Sequence, residues 1–469
     1  MNKVFLEVAG LRVIESASGK AIVDGVSLRV AAGGALTLLG ESGSGKSLLA
    51  QAIMGTLANG LHAKGAITIA GALFDAADQR SRQRLWGREV ALLPQEPWLA
   101  LDPTMRVQRQ VAETHQLVAG LAADRSRAAA LRDLRQLGME HAARLYPHQI
   151  SGGMAQRVAF LATHAAGARL LIVDEPTKGL DSGKRAELLA MLRAAQDDGM
   201  AVLCITHDVW LARALGGEMA VMLDGRVIEQ GGAAQLLAQP SHAYTRALLA
   251  ADPASWPVRA AVRAPGEVLA HVREAAKSFG KRCLFSGISV DIRRGEVVAI
   301  TGESGAGKTT FGNLLLGLVR PDAGTVTRAT GLARTAFQKL YQDPAAAFAP
   351  TVTLRTALAD VLALHGLTWD AATPLLARLR LGDHLLGRLP SQVSGGELQR
   401  FALARVLLLK PALIFADEPT SRLDPVTQQE TLNLLLEVAG DSGCAVLLVT
   451  HDAEIARAVA QRRIGLCVS

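Results

Sequence analysis

The run GESGSGKS at 40–47 returns as GESGAGKT at 302–309, placing Lys46 and Lys308 262 residues apart. Each run follows an apolar stretch, ALTLLG or VVAITG, and leads into a helix-forming one, SLLAQAIMG or TTFGNLLLG. A phosphate-binding loop demands this order. Glycine permits the tight turn and lets backbone N–H groups face the phosphates, and the following helix adds its positive end. In that pattern Lys46 and Lys308 reach the β- and γ-phosphates, and Ser47 and Thr309 bind Mg²⁺. Gly40, Ser42, Gly43, Ser44 and Gly45 line the first cradle; Gly302, Ser304, Gly305, Ala306, Gly307 and Thr310 line the second. A length of 469 residues accommodates two such α/β units, each with its own core.

The repetition continues in register. YPHQISGGMAQRVAF at 146–160 answers LPSQVSGGELQRFAL at 389–403, RLLIVDEPTKGLD at 169–181 answers ALIFADEPTSRLD at 412–424, and AVLCITHD at 201–208 answers AVLLVTHD at 445–452. Ser151 precedes Asp174 by 23 residues, and Ser394 precedes Asp417 by the same 23. The halves differ earlier, where Lys46 to Gln95 spans 49 residues but Lys308 to Gln342 only 34. The second half therefore lacks about fifteen residues of strand-and-turn material, which predicts a trimmed antiparallel subdomain. Three prolines break the pattern across 251–267, the expected join, and 231–250 reads as a helical tail of the first half without a counterpart in the second.

LLIVDE and LIFADE read as buried parallel strands ending in carboxylates, at the sheet edge where α/β folds place ligands. Asp174 and Asp417 are placed to hold the Mg²⁺ shell, and Glu175 and Glu418 to orient or deprotonate an attacking water. One Asp-Glu pair is as well explained by a solvated turn; two that each follow a phosphate loop and stand the same 23 residues beyond an SGG run are not. His207 and His451, each in Thr-His-Asp after a strand, gain a γ-phosphate contact by the same reasoning. Gln95 and Gln342 begin loops shaped by proline and aspartate, where a neutral amide can reach Mg²⁺ or water. Ser151, Gly152 and Gly153, and Ser394, Gly395 and Gly396, precede helical runs; hydroxyl and backbone N–H groups there can cap a helix or hold a second anion.

Composition narrows the setting. No apolar run of about 18 residues could span a bilayer, and the N-terminus has no secretory signal pattern, so a cytoplasmic location is expected. Cys204, Cys283, Cys444 and Cys467 lack metal or disulfide spacing, and the first and third sit in core-like strands. The formal charge of +7 is interleaved with acids, apart from an excess around 273–294 (Arg273, Lys277, Lys281, Arg282, Arg293 and Arg294), and no nucleic-acid partner is expected.

These motifs in this order resemble the ATP-binding cassette (ABC) ATPases over nearly all of both halves. The resemblance implies an α/β fold of two tandem P-loop NTPase (ABC ATPase) domains, each with a mixed sheet core, an antiparallel β subdomain (shortened in the second) and a helical subdomain. The domains expected are 1–250 with its tail, a linker 251–267, and 268–469. ATP and Mg²⁺ are the implied cofactors. In the family two cassettes close head to tail, here within one chain. One implied site joins Lys46, Ser47, Gln95, Asp174, Glu175 and His207 with Ser394, Gly395 and Gly396. The other joins Lys308, Thr309, Gln342, Asp417, Glu418 and His451 with Ser151, Gly152 and Gly153. Phe279 fits the aromatic that stacks on adenine, whereas the first half has Glu15 near that position. The signature carries Met154 and Glu397 where glutamine is frequent, and the D-loop serine is kept as Ser421 but replaced by Lys178. Both glutamates and both histidines are present, so two hydrolytic sites are expected.

QEPWLALDP, QDPAAAFAP, YPHQISGGMAQR and the tail QPSHAYTRALL look like the paired ATPases of oligopeptide, dipeptide and nickel importers, fused here into one chain. The implied partners are two transmembrane permease subunits and an extracytoplasmic solute-binding protein. The implied place is the cytoplasmic face of the inner membrane, held peripherally, with helical subdomains near 98–145 and 344–390 pushing on the permeases. Peptide, nickel and metal chelate are all compatible cargoes. The ATPases of some peptide exporters share these motifs. Tandem cassettes acting on ribosomes carry a long charged linker unlike 251–267, and DNA-repair cassettes carry zinc-ligand cysteine pairs that this chain lacks.

Overall fold

A computed structural model describes residues 3–178, 180, 182–259, 266–280, 282–303 and 305–466; Ser304, Lys281, Cys467 and residues 260–265 of the expected linker lie outside the described residues. The chain forms two compact units, Met1–Leu249 and Ala250–Ser469.

The first unit runs β1 (Val4–Glu15), β2 (Ala21–Ala31), β3 (Ala35–Gly40), α1 (Lys46–Met54), β4 (Leu61–Ile69), β5 (Ala72–Asp75), β6 (Val90–Leu93), α2 (Val107–Glu113), α3 (Ala123–Gln136), α4 (Gly152–His164), β7 (Leu170–Asp174), α5 (Ser182–Asp197), β8 (Ala201–Thr206), α6 (Val209–Leu215), β9 (Glu218–Leu223), β10 (Arg226–Gly232), α7 (Ala233–Ala238) and α8 (Ala243–Ala250). Its core sheet has the order β10-β9-β3-β8-β7-β6, parallel except for β10 at the edge. The run LLIVD is apolar up to its closing aspartate because both faces of this sheet are covered. Leu170 and Ile172 of β7 face a core shared with the antiparallel sheet β2-β1-β4-β5, whereas Leu171 and Val173 face the helices. The antiparallel sheet alternates instead, burying Leu6 and Val8 on one side of Glu7, which pairs across the strands with Arg29 at 2.7 Å.

The second unit runs β11 (Val268–Phe279), β12 (Arg282–Arg293), β13 (Val297–Thr301), α9 (Lys308–Leu315), β14 (Ala323–Arg328), β15 (Phe337–Leu340), α10 (Leu354–Leu364), α11 (Trp369–Arg378), α12 (Asp383–Leu386), α13 (Gly395–Leu407), β16 (Leu413–Asp417), α14 (Pro425–Ser442), β17 (Ala445–Val449), α15 (Ala453–Val459) and β18 (Arg462–Gly465). Its core sheet, β15-β16-β17-β13-β18, is parallel throughout. The antiparallel sheet is reduced to β12-β11-β14. β14 takes the place of β4, so the missing residues correspond to the end of β4, β5 and the turn that follows it, and the hairpin is lost. Phe415 of β16 faces the antiparallel side while Ile414 and Ala416 face the helices, repeating the two-sided pattern of β7. Cys204 and Cys444 are buried as expected, Cys204 on β8 and Cys444 immediately before β17.

In the first unit a tail of two short helices, α7 and α8, follows β10. The Glu229 carboxylate fastens it, accepting from Ser241 N–H (2.7 Å), Ser241 Oγ–H (2.6 Å) and His242 N–H (3.2 Å). In the second unit, the segment after Ala250 packs against α15. Trp256 is buried, its carbonyl and that of Ala254 accept from the Arg457 guanidinium, and Arg259 N–H donates to Ala458 O at 2.7 Å.

Desolvation opposes ionisation of Glu229, but the hydrogen bonds from Ser241 and His242, with the Thr245 hydroxyl nearby, prevail and hold its carboxyl down at about 2. A depressed carboxylate stabilises the fold above its unfolded value and loses that contribution as pH falls through the folded one. Hydrogen-exchange protection across 243–250, corrected for the intrinsic slowing of amide exchange in acid, should therefore be full above pH 4.5 and fall as pH drops from 4.5 towards about 2. Glu229→Ala should show the reduced protection already at neutral pH; unchanged protection in that variant would show that the pin is unimportant.

Candidate functional site

In each unit the phosphate loop leaves the carboxyl end of a core strand and enters a helix through a left-handed glycine, Gly45 (φ 96°) before α1 and Gly307 (φ 88°) before α9. The first loop glycine is required for a second reason. A Cβ on Gly40 would stand 2.3 Å from Met222 O, and one on Gly302 would stand 2.4 Å from Leu466 O, so no larger residue fits beside the neighbouring strand. Lys46 is folded back on its own loop, donating from Nζ to Gly40 O (2.9 Å) and Glu41 O (2.7 Å). Lys308 repeats this with Gly302 O (2.8 Å) and Glu303 O (2.9 Å). Ser44 and Ala306 are buried within their loops, while Ser42, Gly43 and Gly305 are exposed. Thr310 is half-buried.

The hydroxyl after each lysine meets the aspartate at the end of the neighbouring strand system. Ser47 Oγ–H donates to Asp174 Oδ1 at 3.1 Å, and Thr309 Oγ1–H to Asp417 Oδ1 at 3.0 Å. Hydroxyl and carboxylate oxygens are hard donors that suit Mg²⁺, an ion that takes one or two protein ligands and completes its shell with water and phosphate. The residues present therefore fit that ion. Burial pushes the Asp174 carboxyl up, opposed by the Ser47 hydroxyl.

Glu175 and Glu418 adopt left-handed backbone conformations, φ 47° and 46°, which cost a non-glycine residue about 1–2 kcal/mol. The strain is held by the next strand, with Glu175 N–H donating to Ile205 O (2.8 Å) and Glu418 N–H to Val449 O (3.1 Å). His207 Nδ1 lies 2.8 Å from Glu175 Oε2, close enough to pair though poorly aligned for a hydrogen bond, and His451 Nδ1 lies 3.4 Å from Glu418 Oε2. Burial alone would raise both carboxyls. Contact with the histidines and the charges of Lys46 and Lys308 outweigh it, so both glutamates are held below the ordinary value. Each is ionised, and each can accept a proton or orient a water.

The two sets are not identical. Gln342 Nε2–H donates to Glu418 Oε2 (3.0 Å) and Ser421 Oγ (3.4 Å); Gln95, exposed like Gln342, stands two residues past β6, which pairs with the strand that carries Asp174. Phe279 closes β11 with 58% of its surface exposed and Lys277 Nζ 5.6 Å from its ring; at the end of β1 stands Glu15, bonded by Ser18. The signature serines lie outside these hydrogen-bonded sets, capping α4 and α13. Ser151 Oγ accepts from Met154 N–H (3.3 Å). Ser394 forms a capping box with Glu397, accepting from Glu397 N–H (3.2 Å) and donating its own N–H to Glu397 Oε2 (2.8 Å). Gly153 packs near Lys184 of α5, Gly395 near Leu423 and Gly396 near Thr427 of α14, whereas Gly152 has open space at its α-carbon. Sequence reasoning missed Lys339, whose Nζ lies 3.2 Å from Asp417 Oδ2. Its signal was available: with Gln95 set against Gln342, Lys339 falls opposite Leu92.

Two loop–aspartate–glutamate–histidine sets on parallel sheets define a nucleoside triphosphatase with duplicated cassettes. The family model for the ABC transporter matches residues 23–178 and 285–421, and the chain belongs to that family, whose cassettes are ATPases. It is 34% identical to an uncharacterized ABC transporter ATP-binding protein, YejF, of Escherichia coli, over 95% of this chain and 90% of that one. It is 32% identical to the peptidoglycan transport ATP-binding protein YejF of Agrobacterium fabrum (93% and 86%) and to the glutathione import ATP-binding protein GsiA of Escherichia coli (98% and 84%). A crystal structure of archaeal ribosome recycling factor aABCE1 superposes with a TM-score of 0.66 at 21% identity, covering 97% of this chain and 87% of that one. At that identity the likeness shows the shared fold alone.

Removing the histidine leaves burial unopposed by its nearest partner. His207→Ala should raise the Glu175 pKa, and the acid limb of the ATPase pH–kcat profile should move to higher pH. An acid limb that stays in place would show that His207 does not hold Glu175 ionised.

Proposed function

We propose that this chain energises import of a peptide-class solute through partner membrane permeases, docked at the cytoplasmic face of the membrane. The observation that carries this reading is two complete catalytic sets on one chain that aligns with import ATPases over almost its whole length. Among the described residues no helix is long and apolar enough to cross a membrane, which fits an ATPase working on separate permeases. The relatives above are named for glutathione and peptidoglycan, which favours peptide-bearing cargo over nickel or a metal chelate. Two permease subunits and an extracytoplasmic solute-binding protein are the partners proposed.

In the proposed cycle the phosphates of ATP replace the loop carbonyls as partners of Lys46 and Lys308. Mg²⁺, when bound, offsets phosphate charge; Ser47 with Asp174, and Thr309 with Asp417, hold it, with Gln95 and Gln342 reaching its water shell. Glu175 and Glu418 orient the attacking water and take its proton at a carboxylate oxygen. His207 and His451 steady those carboxylates and contact the γ-phosphate. Phe279 stacks on adenine at the second loop. We further propose, from the sequence resemblance, that Ser394, Gly395 and Gly396 complete the first ATP site and Ser151, Gly152 and Gly153 the second.

Movement reaches the permeases through the helical subdomains. In the first unit a cavity of about 300 Å³ opens beside Gln95, lined by Pro94, Leu101, Met105, Gln110 and Ala159, with Leu99 71% exposed nearby in sequence. Its mixed lining suits the end of a permease helix, and its position ties that contact to the loop that senses nucleotide.

Co-expression with a candidate pair of peptide-importer permeases should yield a complex whose ATPase activity rises with loaded binding protein and peptide. If no permease co-purifies or stimulates turnover, the import reading fails. Loss of the base should cost on the order of 100-fold or more in kcat for Glu175→Gln and for Glu418→Gln alike. Full activity in either variant would contradict two working sites.

A further inference from the structure

The halves diverge beside the metal-binding aspartate. On β15, Lys339 directs its ammonium to Asp417 Oδ2 (3.2 Å) and to Asn313 Oδ1 of α9 (3.1 Å), with both charged side chains largely covered, at 13% and 10% exposure. The same ammonium lies 5.2 Å from the ring centroids of Phe415 and Tyr341. The other carboxylate oxygen, Oδ1, accepts from Thr309. Each oxygen of this aspartate is therefore already engaged, one of them by a full positive charge.

The first unit is built differently at every one of these places. Leu92 stands for Lys339, Pro94 for Tyr341, Gln51 for Asn313, Ala50 for Gly312 and Ile172 for Phe415. Leu92 cannot pair with Asp174. The differences in the second unit depend on one another. A Cβ on Gly312 would come within 2.0 Å of the Phe415 ring, so glycine there admits the aromatic, and the aromatic gives the ammonium a face to rest against. Asn313 supplies the remaining acceptor from the helix of the phosphate loop. A drifting surface lysine has no such setting.

We propose that Lys339 is a positioning residue of the second ATP site. Acting through Asp417, it makes that site engage Mg²⁺ more weakly than the first and hold nucleotide with less dependence on the ion. The inference rests on the reading that both loops bind ATP with Mg²⁺. An ammonium on the ligand carboxylate neutralises the charge that attracts the ion and repels the ion directly. Its charge remains beside the phosphates when the ion is absent, so the nucleotide is still partly neutralised.

The test uses the full chain with one loop silenced, Lys46→Ala to read the second site and Lys308→Ala to read the first. Binding of a fluorescent ATP analogue is followed against buffered free Mg²⁺, with no turnover required. The Mg²⁺ midpoint of the second site should be higher by roughly five- to tenfold, the scale expected for one screened positive charge near a divalent ion. Adding Lys339→Met should bring it down to that of the first site, Lys339→Arg should keep it high, and Leu92→Lys should raise it in the first site. Equal midpoints at the outset, or a midpoint that Lys339→Met leaves unmoved in a protein with an unchanged melting temperature, overturn the proposal. A Lys339→Met protein that melts early is judged on the Lys339→Arg variant, where a midpoint fallen to the first-site value overturns it equally. An absence of analogue binding at any Mg²⁺ concentration in a folded Lys46→Ala chain overturns the ATP reading of the second loop and this proposal with it.

Discussion

Parallel strand pairing at the centre of each core sheet is the constraint on which the sites depend. β3 pairs with β8 so that Leu39 lies opposite Thr206, and β8 pairs with β7 so that Asp174 lies opposite Ile205. All three strands therefore finish at one edge, and their exits bring three groups together there: the phosphate loop after β3, Glu175 after β7 and His207 after β8. The second unit repeats the arrangement with Ile300 opposite Val449 and Asp417 opposite Val449. Burial on both faces locks this register, because shifting a strand by one residue would exchange the side chains delivered to the two cores. Fully burying a leucine or isoleucine contributes about 1.5–3 kcal/mol, so such a shift would sacrifice several of these at once. The sites are thus held by the whole core rather than by their own few hydrogen bonds.

That dependence explains what could be read from the amino-acid order. The loops, the strand-ending carboxylates and the histidines are local motifs whose backbone demands are met within a few residues, and the repeat showed that none is accidental. The lost hairpin was visible as a shorter span between Lys308 and Gln342. Gly40 and Gly302 were recognisable as loop glycines, but the strands that crowd them, at Met222 and Leu466, come from distant parts of the chain. Lys339 was legible only as a mismatch with Leu92 in the aligned repeat, and its role was not, for the same reason. Its importance exists only because β15 pairs with β16 and brings a residue 78 positions earlier against Asp417. The Glu229 pin and the packing of Trp256 against α15 are likewise products of tertiary contact, invisible to spacing and composition.

Duplication usually suggests equivalence, yet the physical surroundings of the two catalytic sets have diverged in one direction after another. The second has an aromatic where adenine is expected to lie, a glutamine bonded to the glutamate proposed as the base, and an ammonium on the aspartate proposed to hold Mg²⁺. The first has Glu15 in place of the aromatic and an uncharged Leu92 in place of the lysine. The residues proposed to perform the chemical step are kept in both: lysine, hydroxyl, aspartate, glutamate and histidine. The differences just named fall on groups proposed to set how nucleotide and ion are held. In the head-to-tail pairing proposed above, fusing the cassettes into one chain permits this, because each site then has a fixed partner and can specialise without risk of pairing with a copy of itself. A chain so arranged can keep nucleotide at one site while the other turns over, and the lysine beside Asp417 is the group best placed to separate the two.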